Sequence, residues 1–302
     1  MEKTHPITAD ARTINTVFGT FAVSTKNDPS MAHHLENGTY NQWSDILLVS
    51  RLVNSKSIFL DIGAHIGTFL VPIARIAQKA HAFEPVPHTR DFLIKNISLN
   101  NLSNVTVHPF GLGKENDVFS VDICTTDGGS NSLLKQKGVT MVEVKKLDDI
   151  VSAADVIKID VEGMEPFVFM GAKKLLHNSR PIIFCEVNDK QLIKHGSSPK
   201  ELEEILDSFG YSLYVPLEED ILGASPSLSF LTAVMNPNIL TESAKYGCTV
   251  NILCIPTGSQ NPFRTRPTWY TIAFLLQKLL LEKLRRFWYF VLKALRLRKW
   301  QS

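Results

Sequence analysis

The chain has 302 residues, 44% hydrophobic and 21% charged, which excludes wholesale disorder and leaves room for one large α/β domain with appendages. The net charge of +2 hides an asymmetry: residues 278–299 carry eight basic side chains against the single acid Glu282, and taking that +7 from +2 leaves −5 for the rest. A mildly acidic body argues against nucleic-acid binding.

Residues 1–37 read as a polar N-terminal arm. The opening MEKTHPITADARTINTV has no apolar core, so no secretory signal is expected. Residues 38–256 read as one domain. WSDILLVSRLV (43–53) is predicted helical. SIFLD (57–61) and AHAFE (80–84) are predicted strands, with GTFLVPIARIAQ (67–78) a helix between them. Pro72 is tolerable there only within the first turn. HTRDFLIKNISLNN (88–101) follows as a helix and NVTVH (104–108) as a strand. Nearly continuous apolar strands alternating with helices imply a parallel sheet covered on both faces. Residues 117–147 read as a hairpin with a polar, glycine-bearing loop. DVIKID (155–160) and PIIFCEV (181–187) resume the buried strands around the helix EPFVFMGAKKLLHN (165–178). ELEEILDSFG (201–210) is predicted helical, with YSLYV (211–215) and NILCIP (251–256) as strands. Residues 257–267 read as a linker. Cys124, Cys185, Cys248 and Cys254 form no CxxC pair and no metal-ligand spacing. A reducing, cytoplasmic setting is therefore expected, with Cys185 a buried thiol.

Asp61, Gly63 and Gly67 form D-x-G-x-x-x-G at the first strand-to-helix junction. Glycines let a ligand approach the backbone, and a helix N-terminus adds donors and positive potential. A side chain at Gly63 is expected to fill the ligand's place. The dinucleotide fingerprint G-x-G-x-x-G is missing because His65 stands at its central glycine, and no GK[ST] follows for a P-loop. Glu84 ends the second strand, where an acid would grip a ribose's hydroxyls. Asp61 is poorly placed for a pyrophosphate and suits a cationic ligand such as S-adenosylmethionine, with its ammonium and sulfonium. The alternative is a tight turn whose glycines merely pack.

FLDIGAHIGTF, HAFEPVPHTRDFLIKNISLNN, KKLDDIVSAADVIKIDVEGMEPFVFMGAKKLL and PIIFCEVN, in this order and spacing, make the chain resemble the FkbM family of S-adenosylmethionine-dependent methyltransferases. KIDVEGMEPFVFMGA is the specific part. His65 stands where the family commonly has asparagine, and Met164 where it has a small residue. The resemblance implies a Rossmann-like class I methyltransferase fold, with a mostly parallel seven-stranded sheet and one antiparallel strand. It also implies methyl transfer, usually to a hydroxyl oxygen of a sugar, glycolipid or polyketide. Asp61, Gly63, His65 and Gly67 would then meet the methionine portion of the donor, and Glu84 the ribose. The turn PFGLG (109–113) would lie beside the adenine through Phe110 or Leu112, unless it is a plain surface loop.

Methyl transfer is an in-line displacement at a sulfonium. The enzyme must align the acceptor and, for an unactivated hydroxyl, take its proton. Asp160 and Glu186 end consecutive apolar strands, and open α/β sheets bind ligands beyond the carboxyl ends of their strands. Asp160 is the leading candidate for general base or substrate-orienting group. Glu162 either joins it or caps the helix beginning near Glu165. Glu186 either binds the acceptor or pairs with Lys158. Three acids in one cleft also suit Mg²⁺, although the resemblance itself supplies no metal. GGSNSL (128–133) is expected as a mobile loop reaching the acceptor through Ser130, Asn131 or Ser132, or as a plain hairpin connection.

Residues 268–302 form a basic tail. On a helical wheel Lys278, Glu282, Arg285, Arg286, Lys293, Arg296 and Lys299 share one arc, opposite Leu276, Leu280, Leu284, Phe287, Trp288, Val291 and Leu295. This is the pattern of an amphipathic helix lying in a membrane interface, and its uncharged stretches are too short to span a bilayer. The expectation is a peripheral membrane enzyme on anionic lipid, methylating a small-molecule, glycan or glycolipid acceptor. Two alternatives stand beside it: a tail packed on protein, and a non-catalytic methyltransferase-like module. Asp61, Glu84, Asp160 and Glu162 together count against the second. A nicotinamide oxidoreductase would need the missing fingerprint.

Overall fold

The computed structural model describes residues 11–40, 42–122, 132–134, 140–216, 230–233, 249–259 and 264–266. The basic tail, most of the 128–133 loop, Cys124 and Cys248 lie outside these residues. In chain order the first elements are β1 (Ala11–Thr16), β2 (Gly19–Ser24), α1 (Pro29–Asn37), α2 (Trp43–Ser50), β3 (Ile58–Ile62), α3 (Leu70–Ala74), β4 (Lys79–Phe83), α4 (Pro87–Leu99) and β5 (Val105–His108). A small insertion follows: β6 (Gly111–Leu112), β7 (Asp117–Asp122), β8 (Ser132–Leu134) and β9 (Thr140–Lys145). Next come β10 (Val156–Ile159), α5 (Glu165–Met170), α6 (Lys173–Ser179), β11 (Ile182–Asn188), α7 (Asp189–Lys194) and α8 (Pro199–Ser208). The described chain closes with β12 (Tyr211–Pro216), β13 (Phe230–Ala233), β14 (Thr249–Pro256) and β15 (Arg264–Arg266).

The main sheet runs β5-β4-β3-β10-β11-β14-β12-β13-β15. β5, β4, β3, β10 and β11 pair in parallel, and β14 lies antiparallel between β11 and β12. These seven strands with one reversed member match the expected fold. β13 and β15 extend the sheet beyond it, so Arg264–Arg266, inside the expected linker, pair as an edge strand. Strand alternation divides the core. Leu60, Ile62, Ile157, Ile159, Ile183 and Cys185 face the layer holding Val168, Leu175 and Leu202. Phe59, Val156 and Phe184 face the layer holding Ile46, Val49, Leu70 and Ile73.

The helices depart from the sequence reading in instructive ways. α3 is only five residues long, and Pro72 is its third, where a helical N–H needs no intrahelical partner. The predicted helix at 165–178 is two helices that break at Gly171. A Cβ added there would overlap the carbonyl oxygen of Gly113, so the insertion crosses the end of α5 at a distance only glycine permits. The expected 117–147 hairpin is present as β7 antiparallel to β9, in the order β6-β9-β7-β8.

The expected polar arm is largely part of the domain. β1 and β2 form an antiparallel hairpin, and Phe21 and Val23 are wholly buried beside Val71 and Phe92. Asn96 of α4 stitches the hairpin down. Its side chain accepts from Ala22 N at 2.6 Å and donates to Ala22 O at 3.1 Å and Ile66 O at 2.8 Å. Asn100 repeats the exchange with Thr20, at 3.0 and 2.7 Å.

Candidate active site

The glycine turn leaves the end of β3 and folds back onto β4. Gly63 and Ala64 both donate to Phe83 O at 3.1 Å, and Gly67 donates to Ala64 O at 2.8 Å. Gly63 has φ +79° and Gly67 φ +87°. A Cβ at Gly63 would overlap the carbonyl oxygen of Asp160. This corrects the expectation that it would fill a ligand's place: glycine is required there because two backbones touch.

One face of the sheet carries a charged row at the carboxyl ends of three strands. Lys158 on β10 stands opposite Asp61 on β3. Asp160 lies two residues beyond Lys158 and hence on the same face. Glu186 on β11 stands opposite Asn251 on β14. Lys158 is 5% exposed. Its ammonium donates to Gly63 O at 2.9 Å and lies 3.5 Å from both Asp61 Oδ1 and Asp160 Oδ2. The register explains why Lys158 pairs with these two and not with Glu186, as one reading of the sequence had it: the residue opposite Lys158 on β11 is Phe184. Glu186 instead accepts from Gln42 Nε2 at 3.4 Å. Tyr40 roofs the row, donating to Gln42 Oε1 at 2.6 Å and lying 3.0 Å from Thr68 Oγ1.

These charges shift one another. Burial, with help from the Asp160 and Glu84 charges, lifts the Asp61 carboxyl to about 6 against the pull of Lys158. The Asp160 charge, then burial, then Glu162 push Glu186 up to about 9. Burial disfavours a charged Lys158, but Asp160, Asp61 and Glu186 more than reverse that. Asp61 is fully buried, and neither carboxylate oxygen has a hydrogen-bond partner. Beyond its ion pair with Lys158, this acid keeps acceptor capacity for a second cation, and the ammonium and sulfonium of S-adenosylmethionine fit it.

The turn after β10 is held by an acid that sequence reasoning passed over. Glu162 has φ +53° and Gly163 φ +97°. Buried Glu165 closes this turn, its Oε1 accepting from Val161 N at 3.1 Å and Gly163 N at 3.2 Å. Glu165 thus braces the turn that leads into α5, and no side chain caps the helix at Met164. Burial raises the Glu165 carboxyl to about 7. A Cβ at Gly163 would overlap Gln191 O, so this glycine too marks a backbone crossing.

Glu84 follows β4 and is buried. Its Oε2 accepts from His65 N and its Oε1 from Val86 N, both at 2.9 Å. It thus ties the glycine turn to the start of α4. The His65 side chain turns to Asp28, with Nε2 3.2 Å from Oδ2. Phe110 and Leu112 are buried core residues, and Lys145 lies 4.4 Å over the Phe110 ring. Among the described residues no group of three His, Cys, Asp or Glu side chains is arranged to hold a metal ion. Asp160, Glu162 and Glu186 do not supply the oxygen cluster that Mg²⁺ takes.

A cavity of about 310 Å³ adjoins the Val161–Met164 turn, lined by Phe119, Val144, Met164 and Phe167 with Lys114 and Lys194. Val86, just after Glu84, joins Val144 and Met164 in one apolar cluster. The cavity thus shares Val144 and Met164 with the cluster that Val86 joins.

The ligand-free protein is expected to lose stability as pH rises. Asp61, Glu165 and Glu186 start from 3.8, 4.5 and 4.5 and are raised in the fold. The folded state thus holds more protons than the unfolded one. The stability this gives is complete below about pH 4 and is lost by about 9. His65, also raised, acts in the same direction. His81, His108 and His195 are shifted down and oppose it only below their ordinary 6.5. Thermal melts should therefore show Tm falling by several degrees from near-neutral to alkaline pH. Saturating S-adenosylmethionine should reduce that fall, because a bound cation favours the ionised carboxylates. A flat profile, or one the donor leaves unchanged, would contradict this reading of the row.

The model of the methyltransferase FkbM domain matches residues 61–213. A curated relative, Methyltransferase 1 of Beauveria bassiana (strain ARSEF 2860), is 26% identical over 144 residues, covering 38% of this chain and 58% of the relative. Among solved structures, the FkbM methyltransferase of Methylobacillus flagellatus KT is similar at 16% identity and a TM-score of 0.42, over 74% of this chain and 52% of that one. TYW2 of M. jannaschii, in complex with AdoMet, is similar at 15% identity and a TM-score of 0.40, over 82% and 85%. The chain spans little more than half the length of the curated relative and of the FkbM structure.

Proposed function

The chain belongs to the FkbM family of S-adenosylmethionine-dependent methyltransferases, and from that membership we propose that it methylates a hydroxyl oxygen of a sugar, glycolipid or related small acceptor. The observation that carries the proposal is that Asp160, just past β10, and Glu186, on the adjacent β11, lie close enough for the Asp160 charge to be the largest influence on Glu186. S-adenosylmethionine, when bound, supplies an already electrophilic methyl group. What remains for the chain is to hold the acceptor hydroxyl in line and to receive its proton. Asp160, 24% exposed and braced by Lys158, is placed to accept that proton at a carboxylate oxygen. Glu186, pushed toward its protonated form, donates a hydrogen bond that orients the same acceptor. Asp61 faces the donor's cationic end and Glu84 its ribose.

The cavity beside Met164 supports an acceptor with a ring. Phe119 and Phe167 offer apolar faces and the lysines offer donors, a lining suited to the two sides of a sugar. The tail's opposed basic and apolar arcs support action at an anionic membrane surface on the cytoplasmic side. The full chain, incubated with methyl-labelled donor and hydroxyl-bearing acceptors, free or embedded in anionic vesicles, should give a product heavier by one methylene and one equivalent of S-adenosylhomocysteine. Label appearing on nitrogen or carbon acceptors alone would sink the hydroxyl assignment. Faster reaction of soluble than of vesicle-borne acceptors would remove the membrane.

A further inference from the structure

We propose that Asp28 is a positioning residue for the methyl donor: acting through His65, it seats the bend at residues 24–28 against the glycine turn beside Glu84. The inference rests on the donor reading above.

Three observations carry it. First, the Asp28 carboxylate serves two elements, one by a hydrogen bond and the other by an ion-pair contact. Its Oδ1 caps α1 by accepting from Met31 N at 3.1 Å, and its Oδ2 lies 3.2 Å from His65 Nε2. Both side chains are largely buried, at 8% and 17% exposure. Second, His65 belongs to the donor turn. It sits at φ +51°, a conformation costly for a residue with a side chain, and its N–H holds Glu84 Oε2 at 2.9 Å. Asp28, His65 and Glu84 are therefore links of one chain, with the cation between two acids. Third, the bend is tied on the other side of Glu84 as well. Asn27 Nδ2 lies 2.9 Å from His88 Nε2 in the first turn of α4. Within the bend, Ser24 Oγ accepts from Asn27 N at 2.9 Å and Ser24 O from Asp28 N at 3.1 Å. A short, internally braced bend thus spans from the glycine turn to α4, directly past the ribose-gripping acid.

The groups facing His65 are Asp28 from the bend, Glu84 from the end of β4 and Lys158 from β10. Burial and Lys158 oppose a charge on its ring, and the two carboxylates outweigh them. A charged His65 holds the bend through Asp28. A neutral one has no charge to hold it with.

The test compares the full unaltered chain with Asp28→Asn by calorimetric titration of S-adenosylmethionine and S-adenosylhomocysteine across pH. Asparagine keeps the helix cap and removes only the charge facing His65. At about pH 6 the variant should bind the donor roughly fivefold or more weakly. As pH rises and His65 gives up the charge that Asp28 holds, the gap should narrow. Titration of Asp61 and Glu186, neither of which is shifted by Asp28 or His65, is common to both chains. His65→Asn should weaken binding like Asp28→Asn, and the double variant should be no weaker than either. Equal affinities at about pH 6, or a gap that is the same at every pH, would overturn the proposal. If neither chain binds donor, it is the methyltransferase reading that fails. Hydrogen exchange then decides on Asp28 separately: amides 24–31 should be less protected in Asp28→Asn than in the unaltered chain at about pH 6, and equal protection refutes the tie.

Discussion

Gly63→Ala is expected to abolish S-adenosylmethionine binding and to destabilise the fold at once. The added methyl is aimed at the Asp160 carbonyl oxygen, in a backbone conformation, φ +79°, that L residues rarely adopt. The left-handed conformation alone costs about 1–2 kcal/mol. Relieving the overlap must move either β3 or the turn after β10, because both atoms belong to rigid backbone. A total of roughly 3–5 kcal/mol, at the upper end for single substitutions, follows, with Tm lower by roughly 10 °C. Melting curves and calorimetry on one preparation check both halves. Contrast with Gly67→Ala is informative. There the added carbon meets Leu93 Cδ1 at 2.8 Å, the far end of a flexible side chain and not backbone, and the loss should be smaller. A Gly63→Ala chain that melts and binds like the parent would show that the two turns are not in contact.

Asp160→Asn is expected to separate binding from chemistry. Asparagine preserves shape but accepts no proton, so turnover, followed as S-adenosylhomocysteine released, should fall by roughly 10²–10⁴. Donor affinity should change little, since Asp61 and Gly63 remain tied by Lys158. The same substitution removes the largest influence on Glu186, whose carboxyl should fall back from about 9. The alkaline limb of the rate profile should therefore move to lower pH in any residual activity. Unchanged turnover would strip Asp160 of the proton-accepting role. Lost donor affinity would place it against the donor.

The central strands and the glycine turn were legible in sequence because they depend on local pattern. IFLDI, KAHAF and VIKI are apolar runs of strand length, and D-x-G-x-x-x-G marks a turn by spacing alone. Pro72 was equally readable, since its rule concerns position within one helix. What escaped depends on partners far away in the chain. ARTINT is too polar to announce a strand, and it pairs with β2, which Asn96 and Asn100 hold from 74 and 80 residues away. The choice of Lys158 between Asp61 and Glu186 turns on register across three strands, and period-2 patterning does not fix register between neighbours. The break at Gly171 is silent in sequence because its cause, Gly113, sits in another element. Glu165 escaped for a different reason: a carboxylate reaching back to bond N–H groups of its own preceding turn looks, in sequence, like any acid at a helix start.

The stitching of the hairpin by Asn96 bears on where the protein ends as a physical unit. The family match begins at residue 61, and a domain trimmed near that point would discard the sequence before β3 as a leader. Yet one buried amide holds Ala22 and the glycine turn's Ile66 together. Excising the hairpin would leave that amide two hydrogen bonds short in a site built to exclude water, and would bare the surface that Phe21 and Val23 cover on Phe92 and Val71. The physical unit is therefore larger than the recognisable signature. Its first strands travel with the donor turn, and a gene fusion or domain transplant that respects the signature alone would move the motif and leave its support behind.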